Sequence, residues 1–191
     1  MERKAGILLH ISSLPNKYGI GTLGKSAYQF VDFLEKAGQK YWQVLPITPT
    51  NYGDSPYQSS SVYAYNPYFI DLDILNEMGL LRKCEYQKEF YGSNPQTIDY
   101  ECLFEVKNRV LKNVWSRHKL YEKPFKKFCK ENANWLEGYA LYEAIKESFG
   151  FTAWNTWPGE YRLRDEKTLK KFIKEVRAIT GLGLKEAKDL V

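Results

Sequence analysis

Tyr41-Trp42-Gln43-Val44-Leu45-Pro46 is a short, mostly apolar run closed by a proline, and the fold is read outward from it. Its first five residues predict a strand of the kind buried on both faces of a parallel sheet. Upstream, Lys25 to Ala37 sets Ala27, Phe30, Val31, Phe33, Leu34 and Ala37 at helical spacing, and Gly38 supplies a stop. Ser12 to Gly21, with its Ser, Pro, Asn and Gly, reads as a loop, and Ala5 to Leu9 as another buried strand. Strand, helix and strand in about forty residues make one βαβ unit, whose parallel pair requires cover on both faces.

Downstream of that unit lies Asn51-Tyr52-Gly53-Asp54-Ser55-Pro56-Tyr57-Gln58-Ser59-Ser60-Ser61. Gly53 accepts positive φ, Asp54 can bond its own backbone, and Pro56 fixes φ, so the segment reads as a rigid loop. It presents Tyr52 and Tyr57 among hydroxyls and amides. Aromatic faces beside small polar groups suit a flat hydroxylated ligand such as a sugar. The plainer reading is an ordered surface loop whose tyrosines pack on the domain.

The remaining elements are helical. The spacing predicts helices over Ile74–Leu81, Tyr100–Trp115, Phe125–Asn132, Trp135–Phe149 and Glu166–Thr180. In the second, Leu103, Phe104, Val106, Val110, Leu111 and Val114 are expected to face inward. Arg82–Gln96 reads as irregular, and Thr152–Pro158 as an aromatic loop in which Trp154 and Trp157 are packing residues. With 191 residues, 43% hydrophobic and 16% aromatic, the chain can bury a core. Its net charge of +5 is spread among acidic residues, which argues against a nucleic-acid footprint. Cys84, Cys102 and Cys129 are odd in number and far apart, fitting neither a disulfide framework nor a zinc pattern and pointing to a reducing cytoplasm. Only two histidines occur, His10 and His118, so a His-rich metal site is excluded. No signal peptide is expected, and no apolar run approaches the ~20 residues of a membrane span.

Several exact words carry a resemblance. Gly6-Ile7-Leu8-Leu9-His10, Ser12-Ser13-Leu14-Pro15, Tyr18-Gly19-Ile20-Gly21, Tyr41 to Pro46, Tyr52 to Ser59 and Asn66-Pro67-Tyr68 occur in that order. So worded, the chain resembles the amino-terminal part of the 4-α-glucanotransferases (amylomaltases or disproportionating enzymes, glycoside hydrolase family 77). The likeness continues to about Arg164 through Asp99-Tyr100, Trp135-Leu136, Tyr139-Ala140-Leu141 and Trp154 to Pro158. It implies an α/β fold, an incomplete (β/α)8 TIM barrel represented by its first two strands, carrying a mainly helical insertion subdomain and a C-terminal helical pair. The divisions expected are residues 1–72, 73–165 and 166–191.

By resemblance the family moves α-1,4-glucan segments between maltooligosaccharides by a retaining double displacement, with no metal or organic cofactor. Such chemistry uses two carboxylates, one as nucleophile and one as acid/base. No residue of this sequence matches them, so no catalytic residue is assigned; Asp54 is expected to brace its loop and Asp71 to cap or pair. What the resemblance carries over is substrate binding. Tyr57 and Ser55 match the loop lining the donor subsite, and Tyr52 matches one aromatic of a second glucan groove whose other position falls on Phe104. His10 ends the first strand and reads as a satisfied structural histidine. The last stretch, Ile173 to Val191, resembles two helices of the carboxy-terminal domain of the ribosomal stalk protein L7/L12. That implies a translation-factor contact through Ile173, Lys174, Arg177 and Lys188, and a join near residues 165–172. A non-catalytic glucan-binding module, a factor-recruiting protein and a chimeric product without evolved function stand as alternatives.

Overall fold

The computed structural model describes residues 3–180, with side chains through residue 176. It divides into two compact units, Met1–Leu120 and Tyr121–Val191. The stalk-like stretch beyond residue 180, and the side chains of Arg177 and Lys188, lie outside the described residues.

In the first unit, β1 (Gly6–Leu8) and β2 (Tyr41–Gln43) pair in parallel with Ile7 opposite Trp42. The backbone bonds Lys40 N–H to Ala5 O, 2.8 Å, and Leu9 N–H to Gln43 O, 3.0 Å, extend the pairing at both ends. Between them runs α1 (Lys25–Lys36), whose Phe30 meets the Trp42 ring edge-on at 5.0 Å. It ends as the sequence predicts. Gly38 takes φ +69°, its N–H bonds Glu35 O, and Gln39 N–H reaches back to Leu34 O, the two bonds of a Schellman cap. The expectation of strands buried on both faces is corrected here: each strand alternates exposed, half-buried, exposed, and Leu8 is 57% exposed. A two-stranded sheet has one helix-covered face at Trp42, and among the described residues no further strand covers the rest.

The core of this unit is built by the loops and helices after β1 and β2. Ile11, Leu14, Tyr18 and Ile20 pack with Phe69, Leu72, Leu81, Tyr86, Leu103 and Val110. Two phenols, Tyr18 and Tyr86, donate to Asp73 Oδ1 at 2.7 and 2.8 Å. That pairing, with Lys17 3.5 Å away, holds the Asp73 carboxyl below its ordinary range against the opposing effect of its burial. Helix α2 (Leu72–Glu77) starts earlier than its periodicity suggests, because Asp71 Oδ1 accepts from Ile74 N–H at 3.0 Å and so caps it. The other Asp71 oxygen accepts from Thr22 Oγ1 at 2.5 Å, which ties the loop after β1 to this cap.

Helix α3 (Tyr100–Trp115) has the predicted limits and is capped by Asp99, which accepts from Cys102 N–H at 3.0 Å. Leu103, Val106 and Val110 are buried as expected, but Phe104 turns outward and is 39% exposed. The buried position one turn on is Lys107, with 0% of its surface exposed. Its amine donates to Tyr68 O at 2.6 Å and to Ile70 O at 2.8 Å, pinning α3 to the helical turn Pro67–Phe69.

The Ser12–Gly21 loop closes where Gly21 N–H donates to Ser12 O at 3.0 Å. A Cβ on Gly21 would overlap the Ile11 carbonyl oxygen and lie 2.8 Å from both Leu14 N and Leu14 O. These are backbone atoms of a buried turn and cannot rotate away. Gly21→Ala is therefore expected to cost about 1–3 kcal/mol, the range for overpacking a core, read as a lower urea midpoint. A neutral result would show that the turn can shift freely.

The second unit holds α4 (Glu122–Glu131), α5 (Ala133–Ser148), α6 (Gly159–Arg162) and α7 (Glu166–Thr180). Sequence reading starts α4 at Phe125, after Pro124; the helix begins at Glu122 because a proline in the first turn needs no N–H there. Ile145 of α5, Trp157, and Leu169 and Phe172 of α7 form the core, with Tyr161 edge-on to Phe172 at 5.9 Å. The apolar face of α7 thus packs within this unit.

Candidate functional site

The loop from Asn51 to Ser61 holds its shape by local bonds. Asn51 N–H donates to Gln58 O at 3.1 Å, Asp54 N–H to Asn51 O and Gln58 N–H to Ser55 O, both at 3.0 Å. Gly53 and Asp54 sit at φ +90° and +52°, the left-handed turn the sequence calls for. Thr50 Oγ1 donates to Asp54 Oδ1 at 3.1 Å, so Asp54 braces the loop as expected, and burial raises its carboxyl pKa against that bond. Asn66, itself buried, accepts from Tyr68 N–H at 2.9 Å and closes the segment's far end.

This scaffold carries three of the four predicted binding residues. Tyr52 is 100% exposed and Tyr57 74% exposed, so their rings are not packed on the domain, and the plainer reading of the loop is set aside. Ser55 is half-buried at the base, where its Oγ accepts from Tyr57 N–H at 3.4 Å. Phe104 belongs to α3, a different element of the same unit, with its ring partly exposed.

Beside the loop, at the carboxyl ends of β1 and β2, lies a cavity of about 180 Å³. His10, Ser12, Asp54, Asn66, Phe69 and Tyr100 are among its walls. Tyr68 and Tyr100 both feel the Asp54 charge; burial first, then that charge, pushes Tyr68 up to about 12 and raises Tyr100. His10 is the residue that sequence reading misjudged. Its Nδ1 is buried and has no hydrogen-bond partner among the described residues, so it is not a satisfied structural histidine. Burial lowers its pKa and keeps the ring neutral. A polar residue ending a buried-strand word was the available signal.

In the second unit, Trp157 is a packing residue as expected: it is buried beside Phe149 and Tyr142 and donates its indole N–H to Thr152 O at 3.2 Å. Trp154 is half exposed. Among the described residues no three His, Cys, Asp or Glu side chains gather as a metal-ligand group. No helix there is long and apolar enough to cross a membrane.

Residues 9–180 match the family model described as 4-alpha-glucanotransferase. The match runs past the proposed join at residues 165–172 and through α7. A 4-alpha-glucanotransferase of Clostridium butyricum is 49% identical over 170 residues, covering 88% of this chain and 35% of that protein. One of Thermus thermophilus is 44% identical over 176 residues, covering 90% and 34%. The solved structure of the amylomaltase from Streptococcus agalactiae in complex with acarbose superposes with a TM-score of 0.83 at 37% identity, covering 99% of this chain and 37% of that one. The chain spans about a third of the length of the curated relatives it matches. With family words at both strand ends, the Tyr52–Tyr57 loop after the second, and a family match over most of its length, the chain belongs to the 4-α-glucanotransferase family.

Proposed function

We propose that this chain supplies the amino-terminal, glucan-binding part of a 4-α-glucanotransferase, an enzyme that transfers α-1,4-glucan segments by a retaining double displacement in the cytoplasm. Residues 1–72 would be the first βαβ part of a TIM barrel, 73–165 the helical insertion and 166–191 a helical tail. The barrel's loops at the carboxyl ends of its strands are where such a fold builds its site. Tyr57 and Ser55 would line the donor subsite. Tyr52 and Phe104 would form a second groove, where phenylalanine keeps the stacking face and lacks the hydroxyl.

The observation that carries this reading is the fully exposed Tyr52 ring and the largely exposed Tyr57 ring on a loop rigidified by its own backbone bonds. Exposed aromatic side chains on a fixed support lose little entropy on stacking with a sugar face. The three free cysteines are consistent with a reducing compartment.

Calorimetric titration with maltoheptaose tests it. Binding is expected to weaken about five- to tenfold for Tyr57→Ala or Tyr52→Ala, on the order of 1 kcal/mol for each lost face, and more for the double variant. Affinity unchanged in the double variant would remove the loop from the site.

A further inference from the structure

Nδ1 of His10 is sealed from solvent without a partner among the described residues, while the ring packs edge-on to Phe69 at 5.4 Å. An N–H trapped in that position would forfeit its hydrogen bond altogether, and an imidazolium would trap one necessarily. The arrangement that strands least is a neutral ring with its bare lone pair on Nδ1 and its one proton on Nε2. His10 also lines the 180 Å³ cavity, far above the ~10–15 Å³ that one water requires.

The other walls define what that cavity accepts. Ser12, Ser13, Thr50 and Asn66 bring hydroxyls and an amide, and Asp54 brings a carboxyl group. Leu45, Pro46, Phe69 and Tyr100 bring apolar faces, and among the described residues no lysine or arginine lines it. An anion would meet Asp54 without a compensating cation. A neutral hydroxylated ring satisfies both kinds of wall. Asp54 and Pro56 belong at once to this cavity and to the Tyr52–Tyr57 loop, so the two surfaces adjoin.

We propose that His10 is a glucan-contacting residue, donating its Nε2 proton to a sugar hydroxyl that in turn donates to Asp54. The proposal rests on the glucan-binding reading given above and adds a residue and a pocket to it. Histidine-selective ¹⁵N labelling of the whole chain isolates the question, since His10 and His118 are the only histidines. His10 is expected in the Nε2–H tautomer, and maltoheptaose is expected to shift its Nε2 signal while leaving His118 unmoved. His10→Phe, which keeps the edge contact with Phe69, should weaken maltoheptaose about tenfold, and His10→Gln, which keeps a donor, by less. An Nδ1–H tautomer would overturn the assignment. So would a titration that moves the Tyr57 ring signals and leaves His10 unmoved; in both cases the loop reading stands. Absence of any glucan response would overturn both.

Discussion

Lys107→Met is expected to destabilise the chain by several kcal/mol at pH 9 and by much less at pH 6. The Lys107 side chain is fully buried, and its amine donates to two carbonyls, Tyr68 O and Ile70 O. A neutral amine has two protons for those two acceptors. An ammonium has a third, for which the described residues offer no acceptor. Desolvation lowers the pKa to about 7, partly opposed by the charge of Asp71. An exposed lysine in the unfolded chain titrates near ~10.4, so between about 7 and that value the unfolded state binds more protons. Stability from this group is therefore fully present at the alkaline end and is lost as pH falls through about 7. Each pH unit within the window changes it by at most about 1.4 kcal/mol. Methionine fills much of the volume but strands the buried Tyr68 carbonyl, at about 1–3 kcal/mol, and releases that of the more exposed Ile70. Urea denaturation of both proteins from pH 6 to 9 gives the difference directly. A difference independent of pH would mean that the amine stays charged in the fold.

The second expectation is the absence of turnover: this 191-residue chain should neither transfer nor hydrolyse maltotriose. Retaining chemistry needs two carboxyl groups about 5–5.5 Å apart, one free to attack and one able to donate a proton. Asp54, in the loop, and Asp71, the next aspartate in the chain, both hold structural bonds. Asp71 caps α2 through Ile74 N–H and accepts from Thr22, and Asp54 accepts from Thr50 within its own turn. Loss of both retaining groups removes many orders of magnitude from the rate, so product should stay at the background of the buffer. Turnover that tracks the purified chain and vanishes in Asp54→Asn would assign Asp54 a catalytic role.

Much of this was legible in the residues because the signals were local. The helix Lys25–Lys36 was fixed by its apolar spacing and by Gly38, and the loop by Gly53, Asp54 and Pro56, each acting within a few residues. Asp71 was expected to cap or pair, and it caps α2. What escaped depends on partners distant in sequence. Lys107 is 37 and 39 residues from the carbonyls it holds, so its burial is invisible in α3 alone, although its position one turn after Leu103 was the only hint. Phe104 faces outward because it lies about 100° round the helix from Leu103, off the face made by Leu103, Val106, Lys107 and Val110. Strand burial failed because an apolar run states what a strand would prefer to meet, and here only one face of a two-stranded sheet receives a helix. The unpartnered nitrogen of His10 is likewise a property of its surroundings, which no spacing rule records.

The central claim is that the Tyr52–Tyr57 loop is a platform for α-1,4-linked glucan, and the ring resonances of specifically labelled tyrosines test it most directly. Maltoheptaose should shift Tyr52 and Tyr57 saturably, with little change among the other 13 of the 15 tyrosines except Tyr100, which lines the adjoining cavity, and the β-linked cellohexaose should not. Saturable maltoheptaose binding that leaves both rings unmoved, or an equal response to cellohexaose, would contradict it.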